Sequence, residues 1–495
     1  MVGVDEQSFP PGTYDVVVVG SGPGGLQTSY YLRRYGVRHA VLSADRAPGG
    51  MFQRWPIYQR LLSWSKLDAP VPTETRDYEW YDHNSLIAED PGHRGLVPAC
   101  MSREFVVPSR AEMEAGLATF AERTALSIRY GCRWESTRRE GDVLVLGTSD
   151  GEYRCRAAVF AVGVTEPWKS AIPGIEHVPH YGEAQDPRAY RGQDVLVIGK
   201  RNSGFELADG LLPWARRIIL VSPSPVHSAV LAHTTVRARY LQPLEDHALG
   251  GGTFAVDAAI ERIGLAQDGR FFVRAIGTTL PGTFEVSADA VIAATGFRAA
   301  LGDLSALDVA TVENERLPAL TPYWESATSP GIFFAGNASQ GAPGLRKNGV
   351  SSSSAAVQGF RYNARVLARH LAERHFGARS ERPILAPDEV VSTLAGDLAR
   401  RPELWAQKGY LARAVTLNGG LRCQDEGIVP LEHFVDQPGP DAAAVTVETD
   451  REGRIFPCVY LRRRGSLREV ALDPHPLNAF DGKSYRGELR RLLDL

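Results

Sequence analysis

The stretch Tyr14-Asp15-Val16-Val17-Val18-Val19-Gly20-Ser21-Gly22-Pro23-Gly24-Gly25 decides how the chain reads. Its valine run has the continuous apolar character of a strand buried on both faces of a parallel sheet. The run passes directly into Gly20, Gly22 and Gly25, spaced GxGxxG. A helix is expected next, carrying apolar Leu26, Tyr30 and Leu32 and ended by Gly36. A second strand at His39 to Leu42 completes a βαβ unit. The spacing assigns Gly20 to the tight turn, Gly22 to close backbone approach to a pyrophosphate, and Gly25 to helix–strand packing. Pro23 and Gly24 complete the turn into a helix whose N-terminus offers amide groups and a positive dipole to phosphate.

In such units an acidic residue ends the second strand and holds the ribose. Here that position is Ser43, with Asp45 two residues later either substituting for it or lying solvated in the loop. This loop alone does not decide between flavin and nicotinamide.

A second junction of the same kind follows. Gln193 to Ile198 reads as another buried strand, reaching Gly199-Lys200-Arg201-Asn202-Ser203-Gly204 and a helix with Phe205, Leu207, Ala208, Leu211 and Leu212. Arg201 stands at the middle-glycine position, so close backbone approach is traded for positive charge from Lys200 and Arg201. Ser203 either bonds a phosphate oxygen or caps the helix. The following strand, Ile218 to Val221, ends in Ser222-Pro223-Ser224 with no acid, which favours NADPH over NADH. Three more strand ends carry small residues suited to lie against a cofactor: Ala157 to Val162 before Gly163, Ala290 to Ala293 before Thr295 and Gly296, and Gly331 to Ala335 before Gly336 and Asn337.

With Gly49-Gly50 and Met51 after the second strand, these motifs resemble the single-component flavoprotein monooxygenases, among them the flavin-containing, N-hydroxylating and Baeyer–Villiger enzymes. The likeness rests on GSGPGG at 20–25, GG at 49–50, GKRNSG at 199–204, ATGF at 294–297 and FAGN at 334–337, and it spans about residues 14–377. It implies FAD in the first fold, NADPH in the second, and O2 activated as a C4a-hydroperoxyflavin, with N-oxygenation of an amine or amino acid as the preferred chemistry. It also implies contacts to cofactor from Gly20, Gly22, Pro23, Gly24, Gly25, Ser43, Asp45, Gly49, Gly50, Met51 and Gly163. In the second fold and on the returning strand it implies Gly199, Lys200, Arg201, Asn202, Ser203, Gly204, Thr295, Gly296, Gly336 and Asn337. Residues 180–192 depart from the family's linker, and Asn337 stands where relatives often carry Asp. Sulfur oxygenation, Baeyer–Villiger insertion, and a reductase of the disulfide-reductase superfamily lacking a cysteine pair are the other readings.

The expected architecture is α/β: two Rossmann-like three-layer dinucleotide-binding domains, the second inserted in the first, and a small α+β C-terminal region. The first covers 1–174 and returns over 326–377, the second covers 175–325, and the C-terminal region covers 378–495. An aromatic insert over 51–106 holds Phe52, Trp55, Tyr58, Trp64, Tyr78, Trp80, Tyr81 and Phe105. It reads either as the wall of a dry flavin cavity or as a second small core. Arg54, Arg60 and Lys66 are candidate clamps for a substrate carboxylate or, equally, its solvated rim. A long helix is expected over Val350 to Glu373, capped from Ser351 to Ser354 and ended by Gly377, with a linker over Ala378 to Asp388. Beyond it, short helices over 388–413, strands near 445–447, 455–461 and 467–472, and a last helix over 484–493 are expected. Lid, substrate recognition and homo-oligomer contact stay open for this region.

Bulk properties narrow the partners. A net charge of −3 offers nothing to nucleic acid or an anionic membrane. The sequence has no apolar run near 18 residues, so no span is expected. Residues 1–14 lack a secretory layout and read as a leader of a cytoplasmic protein. The five cysteines form no CxxC, so neither a dithiol centre nor a metal site is expected. A small-molecule substrate and O2 are the expected partners.

Overall fold

The computed structural model describes residues 8–58, 60–226, 240–418 and 422–495. The chain forms two compact units. One comprises 1–53, 63–164 and 299–495; the other comprises 54–62 and 165–298.

The first unit is built on a four-stranded parallel sheet ordered Ile332–Phe334, Ala157–Phe160, Val16–Val19, His39–Leu42. Every residue of Val16–Val19 is buried, as a strand covered on both faces requires. The helix Pro23–Arg34 packs on this sheet, and the helix Val357–Phe376 packs on Pro23–Arg34. A second sheet of this unit joins Trp134–Glu140, Val143–Thr148 and Gly151–Cys155. Residues 1–7 of the expected leader fall outside the described residues, but the next residues are anchored. Gly12–Thr13 pairs with Gly151–Cys155, and the Tyr153 hydroxyl donates to Phe9 O at 2.8 Å.

The C-terminal stretch belongs to this same unit. It forms a six-stranded sheet ordered Ile384–Leu385, Arg422–Pro430, Leu411–Asn418, Ala442–Thr449, Ile455–Arg463, Ser466–Ala471, flanked by the helices Pro387–Arg400 and Lys483–Leu493. Three expectations are corrected here. The segment read as a linker contains a strand bonded to Cys423 and Gln424. Residues 411–413 are strand rather than helix. The long helix starts at Val357, not Val350, and no serine caps it. Ser354 instead hydrogen-bonds Gln407 and Asn363, and Ser353 N donates to Ala406 O at 3.2 Å, so the serine run is tied to the C-terminal region. Buried charge fastens the same region further: Glu403, fully buried, pairs with Arg76 at 2.8 Å and with Arg365.

The second unit holds a six-stranded sheet ordered Thr283–Ala288, Phe271–Gly277, Thr253–Leu265, Arg217–Ser222, Asp194–Ile198, Ala290–Ala293. Its last four strands pair in parallel with the helix Asn202–Leu211 following Asp194–Ile198, as a βαβ crossover demands. Its core gathers Tyr181, Val197, Phe205 and Leu211, with Trp55, Ile57 and Tyr58 packed against them. The aromatic insert therefore does not make one wall. Trp55 and Tyr58 serve the second unit, Tyr78 is buried in the first, Trp80 lies 5.1 Å from Trp405, and Trp64 and Phe105 are exposed. Among the described residues no helix is long and apolar enough to cross a membrane.

Candidate functional site

In the first unit three backbone turns converge on one point. Gly20 has φ +112°, and a Cβ there would lie 2.5 Å from Ala161 O. A Cβ on Gly25 would lie 1.9 Å from Gly20 O, so this glycine sets the helix–strand distance. Gly24 presses on the returning loop: its Cβ would meet Gly336 N and Cα at 2.6 Å. A Cβ on Gly50 would come within 2.8 Å of Gly22 Cα, and Gly49 N donates to Ser21 O at 3.0 Å. Gly22 is the N-cap of Pro23–Arg34 and offers no side chain, so the first-turn amides have no side-chain acceptor. Such a cradle, all backbone and opened by a helix dipole, fits a diphosphate.

The residues around it sort clearly. Ser43 is buried, with its Oγ 2.7 Å from Ser21 Oγ and accepting from Asp45 N at 3.2 Å. Asp45 is half-buried two residues on. Asn337 Nδ2 lies 3.7 Å from Met51 Sδ, while its Oδ1 is buried with no hydrogen-bond partner. That orphaned acceptor beside the glycine cradle asks for a donor and suits a polar dinucleotide such as FAD. Gly163 has φ +71° three residues past the end of Ala157–Phe160. The cradle is braced from outside by two contacts that local sequence does not reveal. Gln27 bonds both Ile87 N at 2.8 Å and Ile87 O at 2.9 Å. Buried Arg361 donates to the carbonyls of Glu79, Asp82 and Ser85.

The loop of the second unit repeats the outer glycines. Gly199 has φ +120°, with a Cβ there 2.4 Å from Ala294 O; one on Gly204 would lie 2.1 Å from Gly199 O. The middle differs. Arg201 is the exposed N-cap of Asn202–Leu211 and makes no side-chain cap bond. Lys200 is turned inward. Its side chain is 1% exposed, and its ammonium bonds Asp257 and donates to Val256 O at 2.8 Å. Burial lowers its pKa, and Asp257 opposes that shift. Lys200 therefore does not add free charge beside the helix as its position suggests; Arg201 does. Asp257, which also accepts from Thr279 at 2.8 Å, is the functional-site neighbour that motif reading missed. Asn202 and Ser203 are half-buried in the first helical turn. Gly296 O accepts from Trp168 N at 3.0 Å and lies 2.8 Å from His180 Nε2. Thr295 Oγ1 donates to Trp168 O at 2.5 Å, so its hydroxyl serves the unit's own backbone.

Of the candidate substrate cations, Arg54 and Arg60 belong to the second unit and exposed Lys66 to the first. All five cysteines are free, and burial raises the thiol pKa of Cys132, Cys155, Cys423 and Cys458, which keeps them protonated and poorly nucleophilic.

Residues 17–336 match the family model described as pyridine nucleotide-disulphide oxidoreductase. The FAD-dependent oxidoreductase domain-containing protein 2 of Mus musculus is 28% identical over 421 residues, which are 78% of this chain and 61% of that protein. The chain thus spans about three-fifths of that relative's length. A ferredoxin–NADP reductase of Salinispora tropica is 28% identical over 374 residues, covering 73% of this chain and 97% of the reductase. Among solved structures, the flavin-containing monooxygenase from Stenotrophomonas maltophilia superposes with a TM-score of 0.54 at 22% identity, over 73% of this chain and 98% of the other; at that identity the likeness establishes the fold.

Proposed function

The chain belongs to the pyridine nucleotide-disulphide oxidoreductase family, FAD-dependent enzymes that exchange electrons with a pyridine nucleotide, and we propose that this member is an NADPH-dependent monooxygenase. Its reaction takes NADPH, a proton, O2 and an amine or amino acid to NADP+, water and the N-oxygenated product, so two electrons come from NADPH and two from the substrate nitrogen. FAD, when bound, supplies the two-electron step between NADPH and O2.

One observation narrows the reading: all five cysteines are free, with no CxxC among them. A family member without a dithiol has no internal relay to a disulfide substrate, and its electrons leave through a small acceptor or a separate carrier. The residues divide the remaining work. Gly20, Gly22, Gly24, Gly25, Gly50 and Gly336 hold the FAD diphosphate against open helix amides, and Asn337 Oδ1 accepts a donor from the same cofactor. Gly199, Gly204 and the cap of Asn202–Leu211 hold the NADPH diphosphate, with Arg201 as its cation. No acid follows Arg217–Ser222 in the chain, and Asp257, in register with Ser222 on the neighbouring strand, is paired with Lys200, which lessens the repulsion a 2′-phosphate would meet.

A second reading is a reductase that delivers electrons to a carrier protein. The Salinispora relative, matched over 97% of its length, favours it. Turnover under 18O2 with L-ornithine, L-lysine and simple alkylamines separates the two. Monooxygenation gives product carrying one 18O for each NADPH oxidised. Anaerobic NADPH oxidation that reduces ferredoxin at full rate, with no labelled product from any amine, establishes the reductase instead.

A further inference from the structure

A cavity of about 290 Å³ lies between the far half of the helix Val357–Phe376 and the C-terminal sheet. Arg369, His370 and Glu373 line it from the helix, about 20 Å along the axis from Val357, and no residue of the glycine cradle lines it. One wall is aromatic. The Tyr323 ring stacks on His370 with centroids 3.9 Å apart and planes 9° apart, and His433 meets Tyr323 edge-on at 4.7 Å. Burial holds both imidazoles neutral, with His370 pushed down to about 3 and His433 also lowered. The wall is therefore uncharged ring surface.

The charges in the lining do not cancel. Arg382 satisfies both acids, pairing with Glu373 at 3.0 Å and Glu426 at 2.9 Å, and Thr416 donates to Glu426 at 2.9 Å. Two more guanidiniums bond only to main-chain acceptors, Arg369 to Ile428 O at 2.7 Å and Arg462 to Phe434 O, and Arg462 also lies over the Phe434 ring at 4.4 Å. Neither has a carboxylate within ion-pair distance among the described residues. Arg462 is 7% exposed, and burial without an acid lowers even its pKa. A buried cation lacking a counter-charge is costly, and a bound anion would offset that cost. Glu373 Oε1 is buried without a hydrogen-bond partner, an acceptor left over in the same lining.

We propose that this cavity is a second ligand site for a small planar organic acid. The carboxylate sits on Arg462 and Arg369, the ring lies against Tyr323, His370 and His433, and a ring-borne amine or hydroxyl donates to Glu373 Oε1. Neutral rings with fixed guanidiniums select such a molecule over an inorganic anion, because ring stacking contributes only when a flat body is present.

Titration calorimetry on the FAD-loaded protein tests this with benzoate, 4-aminobenzoate, cyclohexanecarboxylate and inorganic phosphate. The expected result is one-to-one binding of both aromatic acids, 4-aminobenzoate the tighter, and cyclohexanecarboxylate weaker by several-fold. Arg462→Met and Arg369→Gln each weaken benzoate by at least about tenfold while flavin content and NADPH oxidation stay unchanged. Glu373→Gln removes the advantage of 4-aminobenzoate over benzoate. Should Arg462→Met not fold, Arg369→Gln and the cavity-filling Ala414→Phe decide the matter. Absence of aromatic-acid binding by the intact protein, binding untouched in these variants, or phosphate binding as tightly as benzoate each overturns the proposal.

Discussion

The two glycine loops are nearly the same object at their ends and different objects in the middle. In the first, the outer glycines would place Cβ atoms 2.5 and 1.9 Å from the carbonyls of Ala161 and Gly20; in the second the corresponding distances are 2.4 and 2.1 Å, to Ala294 and Gly199. Turn and helix packing therefore impose one solution twice. At the middle position the first loop has Gly22, which packs against Gly50, and the second has exposed Arg201. The first loop is also closed by a third turn, Gly336 against Gly24. Under the proposed assignment, close approach falls at the loop that would hold FAD. A loop that binds and releases a coenzyme each turnover can rely on one cation and a helix dipole.

Four substitutions break or sharpen this contrast. Gly24→Ala sets a methyl against the backbone of Gly336, which has no rotamer to retreat into. FAD affinity should fall by more than about 100-fold, leaving the purified protein colourless by absorbance. Gly204→Ala sets a methyl 2.1 Å from Gly199 O in the second unit. Flavin content should stay full while NADPH-driven reduction slows by about 100-fold in rapid mixing; loss of flavin here would reverse the assignment of the two loops. Lys200→Met leaves Asp257 without its cation and should cost about 2 kcal/mol in chemical denaturation, with Asp257→Asn in the same chain recovering most of it. If instead it raises KM for NADPH with stability intact, Lys200 reaches the coenzyme after all. Arg201→Gln should raise KM for NADPH by about tenfold at unchanged kcat, the signature of lost ground-state binding.

Both loops and every strand they join were legible, because glycine spacing and unbroken apolar runs are local signals. What stayed hidden depends on distant partners. Lys200 looks like a phosphate cation until Asp257, far along the chain, claims it. Ser351 to Ser354 look like a helix cap until Ala406 and Gln407 engage them. The strand Leu411–Asn418 was missed for a different reason. Its Leu, Ala and Arg favour helices, its residues are buried on nearly every position, and a bulge between Ala414 and Val415 removes the alternation that marks a strand. The aromatic insert misled because its rings are shared between two units, which composition does not record.

The pairing of Ile332 with Ala158 has a consequence for how the protein is made. The edge of the parallel sheet that Ile332–Phe334 covers is synthesised about 170 residues before its cover. At about 5–20 residues per second a ribosome needs roughly 10–35 s to cross that interval. Throughout it the nascent chain carries an open strand edge at Ala157–Phe160, and Gly24 has no Gly336 to rest on. The flavin pocket is therefore completed late in translation, and a transcript truncated before codon 336 would yield a chain with its nucleotide loop formed and nothing to close it.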